Sequence, residues 1–225
     1  MPSLHDYAQF IDRLTATGFM TLSLVRADIP SLAAETSPAQ WHTGDPETDP
    51  WGWKDRAAEE KRLAYGCILG GHKGFISPAL YPLFYRACHP AHSLEERWHA
   101  GEVNQTTYQL WSLFERKATL DTAEVRKSLG VTASRGASRV DGALRDLQRE
   151  FYLTVTGSRR KIGRDGLPYG WAASMFSPVT AWIPLDWRTP PAQLTIEAAR
   201  EQILDLAERN VPGADRSAIA RVLGW

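Results

Sequence analysis

Between residues 103 and 177 the spacing of apolar residues changes from helical to alternating once, after three helical stretches and across an Asp-Gly turn, and this constrains the chain more than any other feature. Tyr108, Trp111 and Phe114 recur at intervals of three, on a helix opened by Asn104 or Thr106. A short second helix follows. Asp121 is its N-cap, Glu124 closes a capping box, Leu120 staples to Val125, and Gly130 ends it one residue after Leu129. Ser138 and Asp141 read as a second capping pair ahead of a third helix, whose apolar stripe is Val140, Ala143, Leu144 and Leu147. Phe151, Leu153 and Val155 then alternate with Tyr152, Thr154 and Thr156, as expected of a strand with one buried face. The return strand is Trp171 to Phe176, and Asp165-Gly166 marks the turn between the two.

Three helices and a two-stranded ribbon in this order are those of a winged helix. The expected fold class is α+β, a winged helix-turn-helix domain packed with a smaller mixed α/β N-terminal domain. At 100 degrees per residue the side of the third helix away from its stripe carries Ser138, Gly142, Arg145 and Arg149, with Arg139 near its start. Gly142 on an exposed helical face costs roughly 1 kcal/mol against alanine, which makes sense where a phosphate or groove wall approaches. The loop expected to form the wing reads Ser158-Arg159-Arg160-Lys161. Over residues 126 to 165 ten cations face four anions, an excess of six, whereas the whole chain balances at 26 basic and 26 acidic residues. A neutral total therefore conceals a dipolar molecule with one basic end, and a uniformly basic nucleic-acid coat is excluded.

The rest of the chain is organised around this segment. Residues 1–100 read as a mixed domain: a helix over 4–16 ending at Gly18, a strand from Phe19 to Val25, and a proline-punctuated loop from Thr36 to Pro50. A helix from Trp53 to Leu63 leads to a hairpin around Gly70-Gly71, and Ser77-Pro78 opens a helix ending near Ala87. Residues 101–180 form the winged-helix domain. Residues 181–225 form a linker fastened by Trp182 and Trp187, with helices that open a second, incomplete module. No run approaches the ~20 apolar residues of a membrane span, and the amphipathic, charged first helix does not read as a signal peptide. Cys67 and Cys88 are too few for a disulfide scaffold, so the expected location is the cytoplasm, with no membrane partner.

Gly18-Phe19, Pro30-Ser31-Leu32, the run from Thr43 to Lys54 that ends Asp-Pro-Trp-Gly-Trp-Lys, and Ala64-Tyr65-Gly66 resemble the bacterial proteins labelled AlkZ-related. These are relatives of the winged-helix alkylpurine DNA glycosylases, and the resemblance runs from about residue 5 to the end. It implies kinship with glycosylases that are built from tandem winged helices and excise alkylated bases with a motif of Gln, an apolar residue, then Gln or Asp. None of the seven glutamines here has Gln or Asp two positions later, so that motif is absent from the sequence.

Other constellations have competing readings. Asp45 and Asp49 beside Trp51 and Trp53 fit either a base pocket, with tryptophan stacking a flipped base and a carboxylate polarising water, or a turn-rich loop pinned by aromatic anchors. His89, His92 and His99 with Cys88 and Glu96 lack metal-ligand spacing, so neither metal nor cofactor is expected. Gly66, Gly70, Gly71, Lys73 and Gly74 fit a hairpin turn better than a phosphate loop.

The expectation is a non-catalytic or lesion-recognising DNA-binding protein in repair or regulation. Double-stranded DNA is its expected partner, met by Arg135, Arg139, Arg145, Arg149, Arg159, Arg160 and Lys161. Two alternatives stand beside it: an alkylbase glycosylase with a divergent site using Asp45 or Asp49, and a protein-interaction module without affinity for nucleic acid.

Overall fold

Gly18 is the first hinge of the chain, its left-handed backbone stopping an amphipathic helix and turning directly into a strand. The computed structural model describes residues 4–132, 136–163 and 165–225. In chain order the elements are α1 (Tyr7–Thr17), β1 (Phe19–Thr21), α2 (Leu32–Glu35), α3 (Pro50–Glu59), β2 (Ala64–Leu69), β3 (His72–Ile76), α4 (Tyr81–Cys88), α5 (Leu94–His99) and α6 (Gln105–Arg116). They continue with β4 (Leu120–Asp121), α7 (Thr122–Ser128), α8 (Ala137–Arg149), β5 (Leu153–Ile162), β6 (Pro168–Pro178), α9 (Val179–Trp182), α10 (Ile196–Asn210) and α11 (Arg216–Leu223). The protein is α+β.

One antiparallel sheet of order β1-β3-β2-β5-β6-β4 runs through the molecule. Its weak seam is between β2 and β5, where Tyr65 faces Val155 and the Thr154 hydroxyl donates to the Tyr65 carbonyl at 3.3 Å. Past Gly66 the register of β2 is irregular, and the side chain of Gln148 on α8 accepts from the Cys67 amide at 3.0 Å. A glutamine thus replaces a strand partner and ties α8 to β2. From α6 onward the order is helix, short strand, helix, helix, strand, strand, with β4 paired to β6 on the outer edge.

Two apolar clusters flank this sheet. The first joins Phe10, Leu14, Trp53 and Phe75 to Leu110, Phe114, Val125, Leu144, Leu147 and Val155, so the early helices and the α6–α8 bundle share a core. The second packs α4, α10 and α11 around Phe84, Phe151, Ile203 and Ile219. Trp182 and Trp187 border that cluster, Trp187 lying 6.3 Å from the Tyr81 ring.

Local chemistry explains where sequence reading and structure part. The capping box of Asp121 and Glu124 is formed, with reciprocal bonds of 2.8 and 2.9 Å. The Ser138 cap is not. α8 starts one residue before Ser138, with Gly136 in the left-handed region as its N-cap, and Asp141 is turned outward to Arg126 at 2.8 Å. α3 begins at Pro50, capped by Asp49, three residues before the expected start, so Trp51 joins Trp53 on the helix. α4 begins only at Tyr81, without a side-chain cap, because Ser77 contributes its carbonyl and not its hydroxyl. β1 stops at Thr21, after pairing with Gly74 of β3. Residues 151–156 are buried on both faces: Leu153 and Val155 join the first cluster with α3 and α8, and Phe151 joins the second. Phe151 precedes the strand with positive φ.

Candidate nucleic-acid interface

The stripe of Val140, Ala143, Leu144 and Leu147 is buried as its spacing predicts, and this leaves Arg139, Arg145 and Arg149 exposed on α8. Their states differ. Arg149 lies 3.4 Å from Asp146 and 3.9 Å from Glu150, while Arg139 and Arg145 have no carboxylate partner among the described residues. The β2–β3 hairpin adds a contribution that sequence reading missed. Its turn brings Gly71 against the Arg145 side chain, and His72 and Lys73 join Arg145 and Cys67 around an open cleft of about 500 Å³. Burial raises the Cys67 thiol pKa, and Lys73 and Arg145 pull it back, so both cations bear on the same point. The signal was the lysine after Gly70-Gly71, which a hairpin reading had already explained.

The ribbon redistributes the predicted wing. Ser158, Arg159, Arg160 and Lys161 lie within β5 and not in its loop, and beyond them the Gly163 amide donates to the Leu167 carbonyl and the Gly166 amide to the Gly163 carbonyl. Arg159 turns back onto α7, meeting Asp121 at 2.5 Å and Glu124 at 2.8 Å. Glu124 also takes Lys117 at 2.6 Å; this bond, the Asp121 amide and the Arg159 charge hold its carboxyl down at about 2. Arg160 and Lys161 are exposed and make no ion pair among the described residues. Arg135 lies outside the described residues.

A second concavity lies where the 42–59 segment meets the ribbon, with a volume of about 550 Å³. Asp49 organises its rim by accepting from the backbone amides of His42, Gly44 and Trp51 at 2.9–3.0 Å. Asp45 accepts from the Glu47 and Thr48 amides at 2.8 and 3.2 Å. Trp53 is fully buried, stacked on Phe10 with centroids 5.8 Å apart, and its Nε1 donates to the Glu47 carbonyl. Trp51 is half-buried beside His42, and the Nζ of Lys54 sits 4.2 Å from its ring. Lys54 is itself buried, which lowers its pKa, and pairs with Asp55 at 2.6 Å. On the opposite wall Glu59 accepts from the Ser158 amide; a side chain at Gly157 would collide with Glu59, so a glycine lets ribbon and α3 close up here. The cleft therefore gathers Asp45, Asp49 and Trp51 with Arg160 and Trp171, and leaves Trp53 in the core.

The histidines do not converge. The Nδ1 of His89 lies 2.9 Å from the Glu150 carbonyl, His92 and His99 are exposed beside Glu96 and Glu95, and no metal-holding group occurs among the described residues. No described helix is long and apolar enough to cross a membrane.

A family model described as AlkZ related matches residues 4–224, and the chain belongs to that family. Membership suggests a DNA-repair-related protein. No curated protein and no solved structure matches the chain.

Proposed function

We propose that this AlkZ-related protein binds duplex DNA without cleaving it, through a winged helix formed by α6, β4, α7, α8 and the β5–β6 ribbon. The observation that carries the reading is the set of exposed cations with no carboxylate partner among the described residues, Arg139 and Arg145 on α8 and Arg160 and Lys161 on the ribbon. A helix face and an adjacent ribbon are the two surfaces that a winged helix offers to a duplex. Arg139 and Arg145 approach the major groove, while Lys73, Arg149, Arg160 and Lys161 meet phosphates. Arg159 is a structural brace between β5 and α7.

A non-catalytic role is supported by the state of Asp49, which is buried and divides its oxygens among three amides of its own loop, whereas Asp45 accepts two amides through Oδ1 and keeps Oδ2 at the exposed rim. A general base needs a free lone pair within reach of water.

The test is fluorescence anisotropy of a short labelled duplex at two salt concentrations, with wild type and Arg160→Ala/Lys161→Ala. Salt-sensitive wild-type binding is expected, with the log-log slope reduced by about two units in the double variant, since each lost phosphate contact removes about one. Binding without salt dependence overturns the reading. Release of bases from alkylated duplex, abolished by Asp45→Asn, would establish a glycosylase instead.

A further inference from the structure

The cleft between α3 and the ribbon has a composition that duplex binding by α8 does not use. Three rings from three separate segments converge there. His42 lies 4.9 Å from Trp51, and 5.9 Å from Trp171 at an interplanar angle of 85°. Trp171 is 78% exposed, the largest exposure of any bulky apolar side chain among the described residues. Its position is built. Arg159 faces Ala173 and Lys161 faces Tyr169, so three residues of β6, Gly170, Trp171 and Ala172, stand opposite Arg160 alone, and Trp171 sits at the centre of this bulge. His42 is held with φ of 65°, a region uncommon outside glycine, by the Asp49 carboxylate accepting its amide.

The remaining walls are polar in a specific way. Asp55 gives one oxygen to Lys54, while its Oδ1 is buried with no hydrogen-bond partner among the described residues. An unsatisfied buried acceptor costs free energy until a donor reaches it. Arg160, on the same rim, has no carboxylate partner among the described residues, whereas Arg56 opposite is closed between Glu47 and Glu60. The cleft thus offers an open aromatic face, an acceptor waiting for an N–H donor, and one free guanidinium at the mouth. A nucleotide combines the three matching groups, a flat ring with an amino group joined to a phosphate.

We propose that this cleft receives one unpaired nucleobase, stacked on Trp171 against His42, with a small movement of Asp55 meeting its amino group and Arg160 taking the adjoining phosphate. The inference rests on the duplex-binding reading for delivery of the strand, because Arg160 is shared by the two surfaces. It makes the protein a reader of locally unpaired DNA.

The experiment compares three labelled duplexes: fully paired, carrying a single bulged adenine, and carrying an abasic residue at the same bulge. Wild type is expected to hold the bulged adenine about tenfold tighter than the abasic bulge, within the range that stacking of one base on an aromatic ring supplies. Trp171→Ala should bring the bulged adenine down to the abasic level while leaving the paired duplex unchanged, and Trp171→Phe should keep most of the preference. With 2-aminopurine as the bulged base, wild type should quench its fluorescence and Trp171→Ala should not. Equal wild-type affinity for the adenine and abasic bulges overturns the cleft and leaves the duplex reading standing. Equal loss on all three duplexes in Trp171→Ala overturns it too, by making Trp171 a general contact. Binding of a single-stranded oligonucleotide that depends on Trp171, without binding of paired duplex, keeps the cleft and overturns the duplex reading; no binding of any of these overturns both.

Discussion

Arg56 and Arg145 are both cations on helices beside the central sheet, and their surroundings are opposite. Arg56 is closed between Glu47 and Glu60, with its guanidinium 3.9 Å from the Tyr7 ring centroid. Arg13, Arg26 and Arg97 are likewise matched to Glu35, Asp28 and Glu150. Arg145 has neighbouring cations and a thiol but no carboxylate partner among the described residues. The 42–60 segment uses its charges to hold its own loop in shape, whereas Arg139 and Arg145 on α8 and Arg160 and Lys161 on the ribbon have no carboxylate partner among the described residues. Counting basic residues along a sequence does not separate these cases. Arg159 and Arg160 are adjacent, yet one is a brace and the other is open.

The comparison breaks first at its structural half. Trp53→Ala should cost roughly 3–5 kcal/mol of stability in urea denaturation, as expected for removing a buried tryptophan, because Trp53 fills the core beside Phe10. A loss near zero would mean that the segment does not share the core. Next comes the open half. Arg139→Ala/Arg145→Ala/Arg160→Ala should lower duplex affinity about a hundredfold in moderate salt, at three phosphate or base contacts, with an unchanged urea midpoint. Affinity retained within error would return these arginines to the solvated surface.

Smaller effects sharpen the boundary. A side chain at Gly142 meets nothing within 4 Å, so Gly142→Ala should stabilise the protein by up to about 1 kcal/mol and weaken duplex binding if a groove wall lies there. Higher stability with undiminished affinity would place the duplex elsewhere. The smallest effect concerns acid. The Glu124 carboxyl lies below its unfolded value, at about 2, so its stabilising contribution is complete above the ordinary carboxylate range and is lost as pH falls through 2. Glu124→Gln should flatten the stability profile between pH ~4.5 and ~2, modestly because the pair is partly solvated. An unchanged slope would remove Glu124 from the brace.

Much of the α6–β6 region was legible because its signals are local. The Asp121–Glu124 box, Gly130, the α8 stripe and the Asp165-Gly166 turn all act within a few residues of chain. What escaped depends on distant partners. Thr154 and Thr156 read as a solvent face because nothing in their own segment announces the distant elements that bury them, among them β2, whose Tyr65 carbonyl takes the Thr154 hydroxyl. The Arg159 brace needs α7 beside β5, and the place of Lys73 near Arg145 needs the hairpin folded over α8. The aromatic cleft was half visible: Trp51, Asp45 and Asp49 could be found in sequence, but Trp171 joins them through a bulge in a pairing register. Trp51 and Trp53 looked equivalent two residues apart, and helical geometry sends one to the cleft and the other to the core.

The most direct test of the division between braced and open cations uses two neighbours. Salt dependence of duplex binding should be measured for Arg159→Ala and Arg160→Ala beside wild type. Arg160→Ala should lower the log-log slope by about one unit, and Arg159→Ala should leave the slope unchanged while lowering stability. Equal slope losses in the two variants, or a loss confined to Arg159→Ala, would contradict the account.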